Sequence, residues 1–484
     1  MNISGIARNL GITLMINAVF MALSLLVSIL NGMDSAFTPM LISVIITTVL
    51  GIFPLIFARN SASINIKEGF VTAVMAWSMS CVLGLLPYLL WGGEFTFINA
   101  LFESVSGYTT TGATILTDIE SLPKSLLFWR SSTHFIGGVG VVLFMLLIIP
   151  SSMSSYKYRM SKMEISSLSK TNFAYKSGEL VKIIVGVYLS ITILTTTALM
   201  ICGMSLYDAV NHAFSTVSTG GFSTKNLSIA HFDSPAIEIV LIISMLASGM
   251  HFGMLYSAVV ERNLKPLKSP IVKYYLGIVF VAGLVITANL MINGNYTHLG
   301  DALRKAYFQV ASIITCTGFA VDDMNAWPSL SIVIIVFLTM HCACSGSTAS
   351  GIKVDRFLIF YYSLRAQIKK KLHPNAVVPV KIGDSVIDRD VIADSNQYMV
   401  LYLFVAFVCT LLLVAFGTGI TESFTGVVTC MSNVGPGFGS VGSMDNFAGI
   451  NTIGKIIYSI AMFLGRLEIF PVFITISLIR GKRV

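Results

Sequence analysis

The sequence predicts an all-α polytopic membrane protein: two N-terminal helices, then four repeats of outer helix, half-helix, loop and inner helix in a pseudo-fourfold arrangement. Three observations predict it. The first is composition, since 55% of the 484 residues are hydrophobic, 11% are charged and the mean hydropathy is +0.81. That is too apolar and too charge-poor for a soluble domain. The second is a succession of spans of about 20 apolar residues, the length that crosses a bilayer as a helix, without the short alternating strands of a β-barrel. The third is a recurring pattern. Ser106 to Gly112 reads S-x-x-T-x-x-G, and altered copies begin at Ser215, Ser312 and Thr429 and end at Gly221, Gly318 and Gly435. The glycines fall roughly 100–120 residues apart, the spacing of an internal duplication.

Taken in order, helices over 6–30 and 39–58 flank the polar turn from Asn31 to Asp34 and have no loop copy after them. No small-residue cleavage site follows the first apolar run, so it reads as a retained helix. Repeat one has an outer helix over 69–91, an amphipathic half-helix over 95–107, the threonine-glycine loop and an inner helix over 126–149. Repeat two places the corresponding helices at 180–202, 206–217 and 236–260, and repeat three at 274–292, 299–313 and 330–362. Repeat four places them at 398–416, 422–431 and 453–479. Each half-helix, roughly 10–15 residues long, is too short to cross the hydrocarbon core and reads as re-entrant. The chain therefore divides into a two-helix unit (1–66), repeat one (67–176), repeat two (177–270), repeat three with a broken inner helix (271–371), an insert (372–394) and repeat four (395–484). Within the insert, 376–382 and 385–392 read as two short strands about the turn Gly383-Asp384.

The net charge of +8 is placed so as to exclude nucleic-acid binding. Lys and Arg cluster in alternate connections: Arg59 and Lys67, Lys157 to Lys182, Arg262 to Lys273, Arg365 to Arg389, and Arg480 to Arg483. The intervening connections carry Asp34, Glu94, Asp118, Glu120, Asp322, Asp323 and Asp445. This is the positive-inside asymmetry of a plasma-membrane protein. Two helices plus two spans from each of four repeats give an even number, so both termini are expected in the cytoplasm. The seven cysteines lie almost entirely within apolar spans, and an odd number argues against a disulfide framework. His341, Cys342 and Cys344 suggest a soft-metal site, but positions 341 and 342 of a helix point about 100° apart and do not converge. His134 and His251 read as helix-packing donors. The sequence holds no hydrolase elbow, P-loop or dinucleotide fingerprint, and the chain is not expected to be an enzyme.

Non-helical backbone at membrane depth is tolerated only where it is buried or lines a watery cavity. Four such loops make a ring whose carbonyl oxygens can replace the hydration shell of a monovalent cation. Glycine lets the chain bend so that carbonyls face one axis, and the hydroxyls of Thr109, Thr110 and Thr111 add oxygens or brace the loop. Half-helices aiming their carboxyl ends at the cavity favour a cation. None of the four loops holds Asp or Glu, which argues against a divalent ion.

These residues resemble the Trk/Ktr/HKT superfamily of potassium uptake proteins, most closely its TrkH branch, over nearly the whole chain. The resemblance is carried by the stretch from Phe102 to Thr114, by Ser215 to Thr224, by Thr315-Cys-Thr-Gly-Phe319 and by Asn433-Val-Gly-Pro-Gly-Phe-Gly439. Gly465-Arg-Leu-Glu-Ile-Phe470 and His373-Pro-Asn-Ala376 complete it. It implies a K⁺ pathway through a selectivity filter comprising Thr110, Thr111, Gly112, Thr219, Gly220, Gly221, Cys316, Thr317, Gly318, Asn433, Val434 and Gly435. It also implies pore helices in place of half-helices, a homodimer, a cytosolic nucleotide-binding ring of TrkA type and no cofactor in this chain. Val434 and Pro436 depart from the threonine-glycine pattern, so the symmetry is approximate.

Below the filter, the third inner helix holds Ala343-Cys-Ser-Gly-Ser-Thr-Ala-Ser-Gly351, small and polar residues that weaken a helix. The resemblance implies an intramembrane gating loop there, comprising Ser345, Gly346, Ser347, Thr348, Ala349, Ser350 and Gly351. Arg466, midway along the last inner helix, needs a partner, because an arginine at the bilayer centre costs about 2.5–3.5 kcal/mol on insertion scales. It is expected to face the pore and donate to carbonyls of 343–351, with an ion pair to Glu103 as the alternative. Glu468 is two positions on and off its helix face. Two transport modes remain open: flux down the K⁺ gradient, and symport with H⁺ or Na⁺, for which Glu103 and Glu468 are the candidate carboxylates.

Overall fold

The computed structural model describes residues 2–58, 65–148, 177–383 and 385–480. Arg59, most of the basic connection from Lys157 to Lys182, Asp384 of the insert's turn and the end of the basic tail lie outside the described residues.

Ile3–Leu30 and Phe37–Phe57 pack on each other, and the first of them also packs on the outer and inner helices of repeat one. Gly11 lets them approach closely, since a Cβ there would sit 2.8 Å from the Gly51 carbonyl oxygen. The outer helices are Ile66–Gly84 continued by Leu86–Trp91, then Ser177–Ile201, Pro270–Ile292 and Arg389–Ala415. With the N-terminal pair they supply the six helices long and apolar enough to cross a membrane among the described residues. The half-helices are Phe97–Tyr108, Leu206–Val217, Leu299–Ile314 and Ile420–Ser432. At about 1.5 Å per residue, even the longest falls short of the roughly 30 Å hydrocarbon core, as expected of re-entrant segments.

The inner helices depart from expectation. Only the first, Lys124–Ile148, is unbroken. The second was expected to run on, but it divides into Pro235–Ser248 and Phe252–Val259 with a bend of 107°. The fourth divides into Thr452–Arg466 and Phe470–Ile479 with a bend of 103°. At the second-helix break, His251 caps the following helix by accepting from the Gly253 amide at 3.0 Å. Backbone freed by the same break bonds to the 343–351 segment: the Cys344 amide donates to Gly249 and the Phe252 amide to Gly346. In the fourth helix, Glu468 and Ile469 take positive φ of 59° and 54°, which a right-handed helix cannot continue through, and the Phe470 amide turns back on the Glu468 carbonyl. The third is broken as expected, into Ser329–Met340 and Val354–Leu372. Between these lie two-residue strands, His341–Cys342 and Ile352–Lys353, paired in parallel.

The insert's hairpin is shorter than expected. Lys381–Ile382 pairs antiparallel with Ser385–Val386, and the outer helix already begins at Arg389, so the second half of the expected strand over 385–392 is helix. Asp390 in the first turn favours that start.

The surface and the axis depart from a water-soluble fold, while the helix contacts keep an apolar core. Ile193, Phe404 and Phe407 stay exposed on outer helices, whereas Thr109, Ser132, Thr219 and Ser312 are buried along the central axis. Lipid covers the apolar face, and close packing of small residues holds the helices together. Gly137 and Gly465 show it: a Cβ on either would sit about 2 Å from the carbonyl oxygen of Tyr108 or Met431, each four residues before a loop glycine.

Candidate functional site

All four loops leave their half-helices by one motif. The residue two before each loop glycine is left-handed: Thr110, Thr219, Cys316 and Asn433 have φ of 52°, 56°, 60° and 54°. The next amide then reaches back to the half-helix, from Thr111 to Ser106, Gly220 to Ser215, Thr317 to Ser312 and Val434 to Thr429, at 2.8–3.0 Å. This is the Schellman termination, normally made by glycine. Placing non-glycine residues there costs about 1–2 kcal/mol each, strain that the surrounding contacts must hold. Gly112, Gly221, Gly318 and Gly435 then turn again, with φ of 79°, 81°, 78° and 102°.

These glycines close a circuit. A Cβ on Gly112 would sit 2.1 Å from the Gly220 carbonyl oxygen, and one on Gly221 would sit 2.0 Å from that of Thr317. On Gly318 it would sit 1.8 Å from the oxygen of Val434, and on Gly435 2.6 Å from that of Thr111. Each glycine therefore abuts the carbonyl just before the next loop's glycine, in the order one, two, three, four and back to one. All four glycines also line a single cavity of about 170 Å³ on the side away from the broken inner helices.

Side chains brace the circuit from behind. The Thr109 and Thr111 hydroxyls are 2.8 Å apart, and those of Thr315 and Thr317 are 2.7 Å apart. The Thr110 hydroxyl is buried without a hydrogen-bond partner, so of the two expected roles, adding an oxygen or bracing the loop, it does not take the second. Asn433 donates from Nδ2 to Thr111 Oγ1 at 2.9 Å and to the Met462 carbonyl at 3.0 Å. Half-helix side chains accept the amide three residues past the glycine: Glu103 from Ile115, Gln309 from Val321 and Thr425 from Phe438. In repeat two, His212 Nε2 meets Ser223 Oγ at 2.9 Å instead. Loop two has glycine at 220 because His134 occupies the space, its Nδ1 2.3 Å from where a Cβ would be.

Beneath the circuit lies the 343–351 segment. Thr348 Oγ1 donates to the carbonyl of Val217, the last residue of half-helix two, at 3.0 Å. Cys316 Sγ faces the Ser350 carbonyl at 3.8 Å, and a Cβ on Gly351 would meet Ser432 Oγ at 3.2 Å. The segment thus touches half-helices two and four and loop three. Arg466, 2% exposed, donates from Nη1 to the Thr348 carbonyl at 2.8 Å and to Ser350 Oγ at 3.1 Å, and from Nη2 to the Gly137 carbonyl at 2.8 Å. Ser345 Oγ donates to both oxygens of Asp355 at 2.7 Å, and Ser347 Oγ to the Cys344 carbonyl at 2.6 Å. Gly346 packs on His251, and Ala349 is buried.

The alternative partner for Arg466 is taken by another residue. Glu103 pairs at 2.8 Å with Arg130, which is 1% exposed and which sequence reasoning passed over. The available signal was an arginine within an apolar span, the same signal that singled out Arg466. Glu468 pairs with Arg356 at 2.8 Å. Among the described residues, no group of three or more His, Cys, Asp or Glu side chains could hold a metal ion.

The TrkH family model, described as a cation transport protein, matches residues 37–280 and 278–482. The Trk system potassium uptake protein TrkH of Salmonella typhimurium is 32% identical over 422 residues, 86% of each chain. TrkH of Vibrio parahaemolyticus is 30% identical over 99% of each chain. The crystal structure of the potassium transporter TrkH from Vibrio parahaemolyticus matches with a TM-score of 0.88 and 30% identity, covering 98% of both chains.

Proposed function

The chain belongs to the TrkH family of cation transport proteins, and we propose that it takes up K⁺ across a bacterial inner membrane along the axis of the four-loop circuit. The carrying observation is the circuit itself, in which the carbonyls of Thr111, Gly220, Thr317 and Val434 each abut the glycine of a neighbouring loop. Such a ring offers K⁺ oxygen ligands in place of water, and the negative carboxyl ends of four half-helices lie beside it. The absence of Asp and Glu from the loops suits a monovalent ion. The filter comprises the residues from 110 to 112, 219 to 221, 316 to 318 and 433 to 435. The segment from Ser345 to Gly351 is the gate, and Arg466 restrains it by tying it to inner helix one.

The same reading divides the chain into a two-helix unit (1–66), four pore repeats (67–176, 177–270, 271–371, 395–484) and a cytoplasmic insert (372–394), with both termini cytoplasmic. The chain works as a homodimer whose gate answers to a cytosolic nucleotide-binding ring of TrkA type, an assembly suggested by the "Trk system" of its relatives' names. Symport with H⁺ or Na⁺ is the weaker reading, because Glu103 and Glu468 are each held by an arginine.

Ion flux into proteoliposomes tests this. Flux that follows the K⁺ gradient, with a reversal potential unmoved by pH or Na⁺, is expected. K⁺ movement that requires a coupling ion would replace the pore by a symporter.

A further inference from the structure

Arg130 lies in the unbroken inner helix with its guanidinium 2.8 Å from the fully buried Glu103. A buried ion pair sacrifices the hydration of both charges, and it holds only when further hydrogen bonds satisfy the remaining donors and acceptors. Here those contacts go to the filter loops. Nη2 donates to Thr114 Oγ1 at 3.3 Å, and Nη1 donates to the Ser223 carbonyl at 3.3 Å. The guanidinium carbon stands 4.0 Å from the centre of the Phe222 ring, a cation–π distance. Thr114 and Ser223 occupy equivalent positions, two residues past Gly112 and Gly221.

One side chain therefore joins matching points of loops one and two. At the other seams the loops are joined by backbone and side-chain amides, and the ion pairs of Arg304 with Asp233 and Glu238 also join repeats two and three. Ile229 and Ala230 donate their amides to the Ala320 carbonyl at 3.0 and 3.2 Å between loops two and three. Asn325 exchanges two bonds with the backbone of Gly439 between three and four, and the Phe447 amide donates to the Thr114 carbonyl between four and one. At the first seam the corresponding bridge, Asn226 to Asp118 and Ile119, is exposed, the Lys225–Glu120 pair beside it is part-exposed at 3.8 Å, and Arg130 supplies the buried tie.

We propose that Arg130 is a specificity-determining positioning residue: held by Glu103, it locks loop one to loop two and fixes the spacing of Gly112 against the Gly220 carbonyl. The inference rests on reading the ring as a K⁺ filter. A filter discriminates K⁺ from Na⁺ only as far as its oxygens hold their places, so slack at one of four seams lets the ring contract around the smaller ion.

The test measures the K⁺ to Na⁺ permeability ratio of the full chain in proteoliposomes, together with its melting temperature. Arg130→Lys retains a cation for Glu103 but lacks the planar fork and the stacking surface. Its ratio is expected to fall roughly three- to tenfold, the scale of the lost stacking and hydrogen bonds. The double variant Arg130→Gln with Glu103→Gln leaves no bare buried charge, so it folds even if a single variant does not, and it is expected to lose the same selectivity. A purely structural role would lower the melting temperature and leave the ratio at the wild-type value in both variants, which would overturn the inference alone. A wild-type chain without K⁺ preference would overturn the filter reading, and this inference with it.

Discussion

Arg466 Nη1 lies 2.8 Å from the carbonyl oxygen of Thr348, and its Nη2 lies 2.8 Å from that of Gly137. One guanidinium thereby ties the non-helical 343–351 segment beneath the four-loop circuit to the one unbroken inner helix. Hydrogen bonds to a charged group contribute about 1.5–3 kcal/mol each, and truncation also leaves buried carbonyls unpaired. Arg466→Ala is expected to raise basal K⁺ flux without any partner by roughly tenfold or more. Arg466→Lys, a point charge that does not span both carbonyls, is expected to fall between. Tracer flux into proteoliposomes reads both. A folded but inactive Ala variant would make the contact structural.

Gly112→Ser places a Cβ 2.1 Å from the Gly220 carbonyl oxygen at a φ of 79°. The variant strains both the loop and the ring, at a cost of about 1–3 kcal/mol for the backbone alone. K⁺ over Na⁺ preference is expected to drop, as read by reversal potential. Unchanged selectivity would remove loop one from the filter.

Asn433 holds loop four by two means, its left-handed backbone and its Nδ2 bonds to Thr111 Oγ1 and the Met462 carbonyl. Asn433→Ala forfeits both bonds and keeps an unfavourable φ, so stability should fall by about 2–4 kcal/mol. Asn433→Gly relieves the backbone and should recover part of it. Thermal unfolding in detergent orders the three proteins. Equal melting temperatures for the Ala and Gly variants would show that the backbone strain is negligible.

Arg356 pairs with Glu468 at 2.8 Å and stacks over Tyr398 at 4.1 Å, joining the helix after the 343–351 segment to the break in the last inner helix. Arg356→Met leaves the carboxylate without its guanidinium. It should destabilise more than the double variant Arg356→Met with Glu468→Gln, because losing one partner of a part-buried pair costs more than losing both. Unfolding by heat compares them, and a double variant as unstable as the single would contradict this.

The repeats were legible because each glycine meets a hard steric demand, a neighbouring carbonyl 1.8–2.6 Å from any Cβ, and such a demand leaves a regular mark in sequence. Arg466 and the 343–351 stretch were legible because a charge and a run of small residues stand out in an apolar helix. The breaks after Ser248 and Arg466 were not. Ala247-Ser248-Gly249 and Gly465 sit at these breaks but are too few to stand apart from helix-packing residues, and the fourth break depends on positive φ at Glu468 and Ile469, residue types that ordinarily continue a helix. Glu103 and Arg130 lie on different helices, so no helical spacing links them, and only the fold brings them together. The strand expected over 385–392 stops short at Val386 because the alternation of apolar and charged residues that follows also suits the first turn of Arg389–Ala415.

The most direct test of the central claim is diffraction from crystals grown with Rb⁺ in place of K⁺, recorded at the rubidium absorption edge. An anomalous peak on the axis, within coordination distance of the Thr111, Gly220, Thr317 and Val434 carbonyls, is the predicted result. Protein that transports Rb⁺ yet shows its peaks elsewhere, with none at that ring, would contradict the account.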